Sequence, residues 1–176
     1  MPGDSHPRFP AGLAPRCIAL AVAMLAAVPA IAQHTHAPAA PTPAPVASID
    51  IPLDAGAREG IVRSRVTASA HGQSLDCNGV ALIDVLRKAG AMPAEPLRGG
   101  VQLGRRVEVL ARDGYRVTFS LGELDPSLGN RQVFLVDQCD GKPLAADSGP
   151  LRLIVPEDSR PARGIRQIER ITVLSP

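Results

Sequence analysis

The sequence predicts an α+β domain with a mostly β core and one or two short helices. Three observations lead there. Residues 106–119 alternate apolar and polar side chains on both sides of Asp113-Gly114, the strongest short-range signal of a hairpin, here expected as a type I′ turn. Val80, Leu82, Ile83, Leu86 and Ala89 recur at helical spacing, with Gly90 following as a stop. Residues 151–155 form a short apolar, partly β-branched run closed by Pro156, which cannot donate to a sheet ladder and so marks a strand end.

Taken from the start, residues 1–32 carry Arg8 and Arg16, an apolar stretch from Cys17 to Val28 and the small-residue pattern Ala30-Ile31-Ala32. That is the pattern of a cleaved secretory signal peptide, too short and wrongly flanked for a membrane span. The arginines are not adjacent, so a twin-arginine signal is not expected. Residues 33–47 alternate proline with alanine and read as a disordered linker tending to polyproline II. His34 and His36 within it read as a solvated tail or as a weak copper or zinc pair. A single folded domain is then expected over 48–176, in the periplasm or secreted, with no membrane span after signal removal.

Within the domain, residues 48–53 suggest an edge strand and 61–70 a second strand. His71-Gly72 is expected as a turn, 73–77 as the returning strand and 80–89 as a core helix. Residues 91–104, with two prolines and three glycines, read as a loop. After the 106–119 hairpin, Ser120 with Glu123 has capping-box spacing, so a short helix is expected over about 121–125, ended near Pro126. A strand at 132–136, a turn at Asp140-Gly141, the strand at 151–155 and a last strand through Ile168, Ile171 and Val173 complete the chain.

Net charge is only +2 and aromatic residues make up 2% of the chain. Nothing in those values calls for nucleic acid or an anionic membrane, and there is no stacking platform for bases. No nucleophile, base and orienter set, zinc spacing or phosphate-binding glycine loop is visible. Two features remain. Cys77 and Cys139 read as a disulfide, as two inert thiols, or as a metal-ligating or redox pair; a bridge would close a loop of about 60 residues and stabilise by roughly 4 kcal/mol. Arg152, Arg160, Arg163, Arg166 and Arg170 stand against Glu157, Asp158 and Glu169. The loop 157–166 reads as an anion-holding surface, since the planar guanidinium suits phosphate, sulfate or carboxylate, or as solvated charge with weak local pairs.

Four segments, in order, resemble the molybdopterin-dependent oxidoreductase domain of the sulfite oxidase type. They are Gly79-Val-Ala-Leu-Ile-Asp-Val-Leu86, Asp113-Gly-Tyr115, Gly149-Pro-Leu-Arg-Leu-Ile-Val-Pro156 and Arg163-Gly-Ile-Arg-Gln-Ile168. The resemblance covers about 60–174 and implies that family's mostly β, mixed fold, with the segment at 163–168 close to the pterin. Arg160, Arg163, Gly164, Arg166, Asp113 and Tyr115 are the cofactor-binding positions it suggests. Turn chemistry and cross-strand packing also account for Asp113 and Tyr115.

In active members of that family a cysteine thiolate holds molybdenum well before the segment matching 79–86. Cys77 is only two residues before it, and residues 51–76 contain no cysteine. The resemblance therefore implies a reduced member acting as a binding or accessory module, without a cofactor of its own, for an anion or an envelope protein. Two alternatives stand beside it. One is a molybdopterin-dependent oxidoreductase component active with a partner chain, and the other a structural envelope protein tethered by its proline-rich arm.

Overall fold

The computed structural model describes residues 47–70 and 72–176. The expected signal peptide, almost all of the proline-rich arm, and His71 lie outside the described residues. The described chain is a mixed α+β domain with two antiparallel sheets.

The first sheet has the order β1-β9-β4-β5, built from β1 (Ser48–Asp50), β4 (Arg106–Ala111), β5 (Arg116–Ser120) and β9 (Ile168–Leu174). The second runs β2-β3-β6-β7, from β2 (Arg63–Ala70), β3 (Gln73–Ala81), β6 (Phe134–Cys139) and β7 (Lys142–Pro143), with β8 (Arg152–Ile154) also paired to β6. The main core gathers Val107, Val109, Phe119 and Ile171 from the first sheet with Val80, Leu135 and Leu153 from the second, and the helix α2 (Leu82–Lys88) adds Leu82, Val85 and Leu86. A smaller cluster, Val66, Cys77, Val136 and Ile154, draws on the alternate positions of the second sheet, as period-2 side-chain alternation requires.

Four α-helical segments occur among the described residues, more than the one or two expected. Besides α2 they are α1 (Ala55–Arg58), α3 (Gly100–Gly104) and α4 (Leu121–Leu124), all single turns. α1 starts because the Asp54 carboxylate accepts from Ala57 N at 2.9 Å, an N-cap bond. α4 is capped as its sequence predicts, with Ser120 Oγ accepting from Glu123 N at 2.9 Å. The expected loop at 91–104 thus ends in a helical turn, opened by Gly99 and Gly100 at φ 42° and 57°.

Two further expectations are corrected. Val80 belongs to β3, not to the helix: it pairs with Arg63 and Leu135 and is fully buried. The inward positions of the strand run directly into the apolar face of α2, so the helical spacing extends backwards by coincidence. The Asp113-Gly114 turn is not type I′. Gly114 N donates to Ala111 O at 3.0 Å and Ala111 N to Tyr115 O at 2.9 Å, and of these turn residues only Gly114 has positive φ, 85°. That is the three-residue loop in which a left-handed glycine forms a bulge. The doubly left-handed geometry lies instead at Asp140-Gly141, φ 51° and 72°, joining β6 to β7.

Candidate anion-binding site

The loop between β8 and β9 contains a 3-10 turn, Pro161–Arg163, and is held down from three sides. Arg163 donates to both oxygens of Asp158, at 2.8 and 2.6 Å, and to Glu123 of α4 at 2.8 Å. Its guanidinium lies over the Phe119 ring, 4.9 Å from the centroid, within cation–π range. Arg131 bonds Glu157 at 2.8 Å and stands 3.8 Å from Glu123. From the hairpin tip, the Tyr115 hydroxyl donates to Ala162 O at 2.8 Å.

These pairings shift the proton affinity of both partners. The Asp158 bond is the main reason that the Arg163 guanidinium is held more firmly protonated than usual, with Glu123 adding to it. In return, the Arg163 bond holds the Asp158 carboxyl below its ordinary range. Arg163 is therefore a fastener of the loop, not an open anion ligand.

The other expected positions divide. Arg160 and Arg166 are exposed and form no ion pair among the described residues. Gly164 closes the 3-10 turn by donating to Pro161 O at 3.0 Å, and a Cβ there would meet that oxygen at 3.2 Å. Asp113 is exposed, and its carboxylate accepts from Tyr115 N at 2.9 Å, which is local turn chemistry. The fold thus brings Tyr115 to the basic loop and leaves Asp113 at the hairpin tip.

Beneath the loop lies a cavity of about 180 Å³, walled by Ala68 and Ser69 of β2, Leu75 of β3, residues 152–156 and part of the 3-10 turn. The cation lining it is Arg152. On β8, Arg152 sits opposite Val136 in the ladder, so it shares a sheet face with that member of the smaller apolar cluster. Its Nε is buried and has no hydrogen-bond partner among the described residues, and it forms no ion pair among them. Leaving such a donor unsatisfied costs about 1–3 kcal/mol. Burial first, and the positive charge of Arg166 second, lower the proton affinity of Arg152. By sequence Arg152 belongs to the cation cluster and not to the ligand positions that the resemblance suggests. The signal was there in a single arginine interrupting the apolar run Leu151-Arg152-Leu153-Ile154-Val155.

Cys77 and Cys139 are directly paired across β3 and β6 and joined in a disulfide. Neither sulfur is then a thiolate, the form that ligates metals. Among the described residues no group of three His, Cys, Asp or Glu side chains is placed to hold a metal ion. The cavity is also smaller than the ~300–1,000 Å³ usual for organic cofactor sites. The residues present do not fit a thiolate-held molybdenum centre at this place. No protein-family model matches the chain, and no curated protein matches it.

Proposed function

We propose that this chain is an exported, periplasmic or secreted, binding module of the sulfite-oxidase-type molybdopterin-binding fold, which works without a molybdenum centre of its own and holds an anionic ligand at Arg152. The observation that carries this reading is the unpartnered Arg152 in the wall of a cavity whose neighbouring cation, Arg163, is already neutralised by Asp158 and Glu123. The order of the four resembling segments supports the fold name. The Cys77–Cys139 bridge supports an oxidising compartment, where such bonds persist.

The test is to purify the mature protein from the envelope of a host that makes molybdopterin, and to measure molybdenum, pterin and extractable small anions. Folded protein free of metal and pterin but carrying a small anion is the expected result. Near-stoichiometric molybdenum would overturn the reading and favour an oxidoreductase component completed by a partner chain.

A further inference from the structure

Away from the anion site, the second sheet ends on a strand with nothing beside it. β2 (Arg63–Ala70) is eight residues long and pairs only with β3 among the described residues. The other margins of the two sheets are short or closed. β1 has three residues, and β7 has two and ends on Pro143. The far side of β8 is taken, because Leu153 N donates to Ile165 O at 2.7 Å and Ile168 N to Leu151 O at 3.1 Å. β5 has five residues and runs straight into α4. β2 is long, free of proline and lysine, and in unbroken register with β3 from end to end, so it lacks the bulges and prolines that blunt an edge.

Alternate residues of an edge strand turn their backbone groups to the open side. The closing pair of the β2–β3 hairpin is Ala70↔Gln73, and a pair that flanks a two-residue loop is a hydrogen-bonded one. Counting back, Ala68, Val66 and Ser64 bond β3, while Arg63, Arg65, Thr67 and Ser69 present N–H and C=O outward. All four are exposed, and none of their backbone groups bonds another segment among the described residues. The two arginines do not guard the edge. Arg63 donates to Asn78 Oδ1 at 2.7 Å and reaches Asp137 of β6 at 3.2 Å, and Arg65 donates to Asp76 of β3 at 2.7 Å. Both guanidinium groups thus fold back over the sheet, each beside a carboxylate. Val66 is paired with Cys77, which the disulfide ties to Cys139 of β6, so the strand is held in place and the ordering cost of adding another is low.

The residues that would meet across this edge identify the occupant. Antiparallel pairing of β2 with β2 of a second copy, centred on Val66, sets Arg63 opposite Ser69 and Arg65 opposite Thr67, in both directions. That register engages all four outward residues of each copy, about eight hydrogen bonds at two per pair, and puts no arginine directly opposite another. Sliding it towards Arg63 sets Arg65 opposite Arg65, and like charges directly opposite disfavour pairing. Sliding it the other way leaves Arg63 beyond the end of the strand. The Val66 register also brings together the smaller apolar clusters of the two copies, to which Val66 belongs. Val62, the most exposed large hydrophobic among the described residues at 80%, comes opposite the end of the second copy's strand.

We infer that two copies of this chain associate through β2, antiparallel about a two-fold axis at Val66, so that the second sheet runs unbroken through both. The contact is isologous, so it closes at two copies and leaves no further β2 edge open.

The experiment is sedimentation velocity of the full chain over a range of concentrations, with amide hydrogen exchange on the same samples. A dimer is expected, and the amides of Arg65 and Thr67 should slow as it fills. Thr67→Pro removes an outward N–H and leaves the β2–β3 ladder its bonds, since proline is tolerated where the N–H faces away from the sheet. It should raise the dimer dissociation constant by roughly tenfold or more, whereas Thr67→Ala should leave it near that of the parent. Should Thr67→Pro fail to fold, exchange in the native chain decides: slowing of Arg65 and Thr67 in step with dimer population supports β2. Monomers at every concentration would overturn the inference, even if a co-purifying peptide protects the same amides, which would give the edge to a different protein. A dimer unaffected by a folded Thr67→Pro, or one whose Arg65 and Thr67 amides exchange as fast as in the dilute monomer, would overturn it too.

Discussion

Tyr115 and Ala162 are 47 positions apart, and the hydroxyl of the first donates to the carbonyl of the second at 2.8 Å. The tip of the β4–β5 hairpin is thereby fastened to the 3-10 turn that roofs the Arg152 cavity. Tyr115→Phe removes this bond with little change of shape. It should cost about 0.5–1.5 kcal/mol at most, and amide hydrogen exchange should accelerate at 161–166 before it does so in the β4–β9 ladder.

Arg163 is the stronger fastening. With three hydrogen bonds to two carboxylates and a ring beneath it, its removal strands Asp158 and Glu123 partly out of water. Arg163→Ala should destabilise by about 1–3 kcal/mol, against the few tenths expected of an isolated surface pair. Urea unfolding reads the loss, and a double-mutant cycle with Asp158→Ala should return a coupling well above zero.

Acid should loosen the same region and the neighbourhood of Asp125. Asp125 is fully buried. Its carboxylate accepts from Ser127 Oγ and N at 2.5 and 2.7 Å and from Leu97 N at 2.8 Å. The Ser127 hydroxyl first, and the Leu97 amide next, hold it below the ordinary carboxylate range, as Arg163 does for Asp158. A carboxyl whose folded pKa is depressed adds stability that is fully present above its unfolded value, about 3.9, and is lost as pH falls through the lower folded value. Urea midpoints should therefore hold steady down to about pH 4 and then drop. Asp125→Asn should be less stable at neutral pH and show a shallower acid drop.

The disulfide should be the largest single contribution among those considered. Its cysteines are separated by 62 positions, and the chain-entropy model gives ~4 kcal/mol for a loop of that length. A Cys77→Ala, Cys139→Ala variant should lose roughly that amount in denaturant, while reductant should shift the midpoint of the native chain and leave that of the variant unmoved.

Gly79 is where the second sheet admits no side chain. A Cβ there would lie 2.1 Å from Leu135 O and 2.6 Å from Val136 Cα, at the register shift opposite Asp137. Gly79→Ala must push β6 away from β3. A destabilisation of roughly 1–3 kcal/mol or more is expected, read by thermal or urea unfolding.

Much of the framework could be read from local pattern. The 106–119 hairpin, the Ser120 cap, the Gly90 stop and the Pro156 strand end each rest on a few adjacent residues. What escaped the sequence depends on distant partners. Val80 looks helical until β2 and β6 flank it, and α3 hides in a glycine-rich stretch with no buried residue of its own. The arginine cluster shows the same limit at the candidate site. Position in the chain did not separate Arg163, which is consumed by Asp158 and by Glu123 forty residues away, from Arg152, which is left over. That distinction is made by pairing in three dimensions, which charge spacing does not encode.

The strand order of the first sheet bears on how the chain can assemble during synthesis. β9 lies between β1 and β4, and Ser175 N reaches back to Ala47 O at 2.9 Å. The β4–β5 hairpin can close as soon as it emerges, but β1 has nothing to pair with until the seven residues of β9 arrive. A nascent chain halted before 168 would carry a half-built sheet with its central slot open, a natural target for a chaperone or for intermolecular strand exchange.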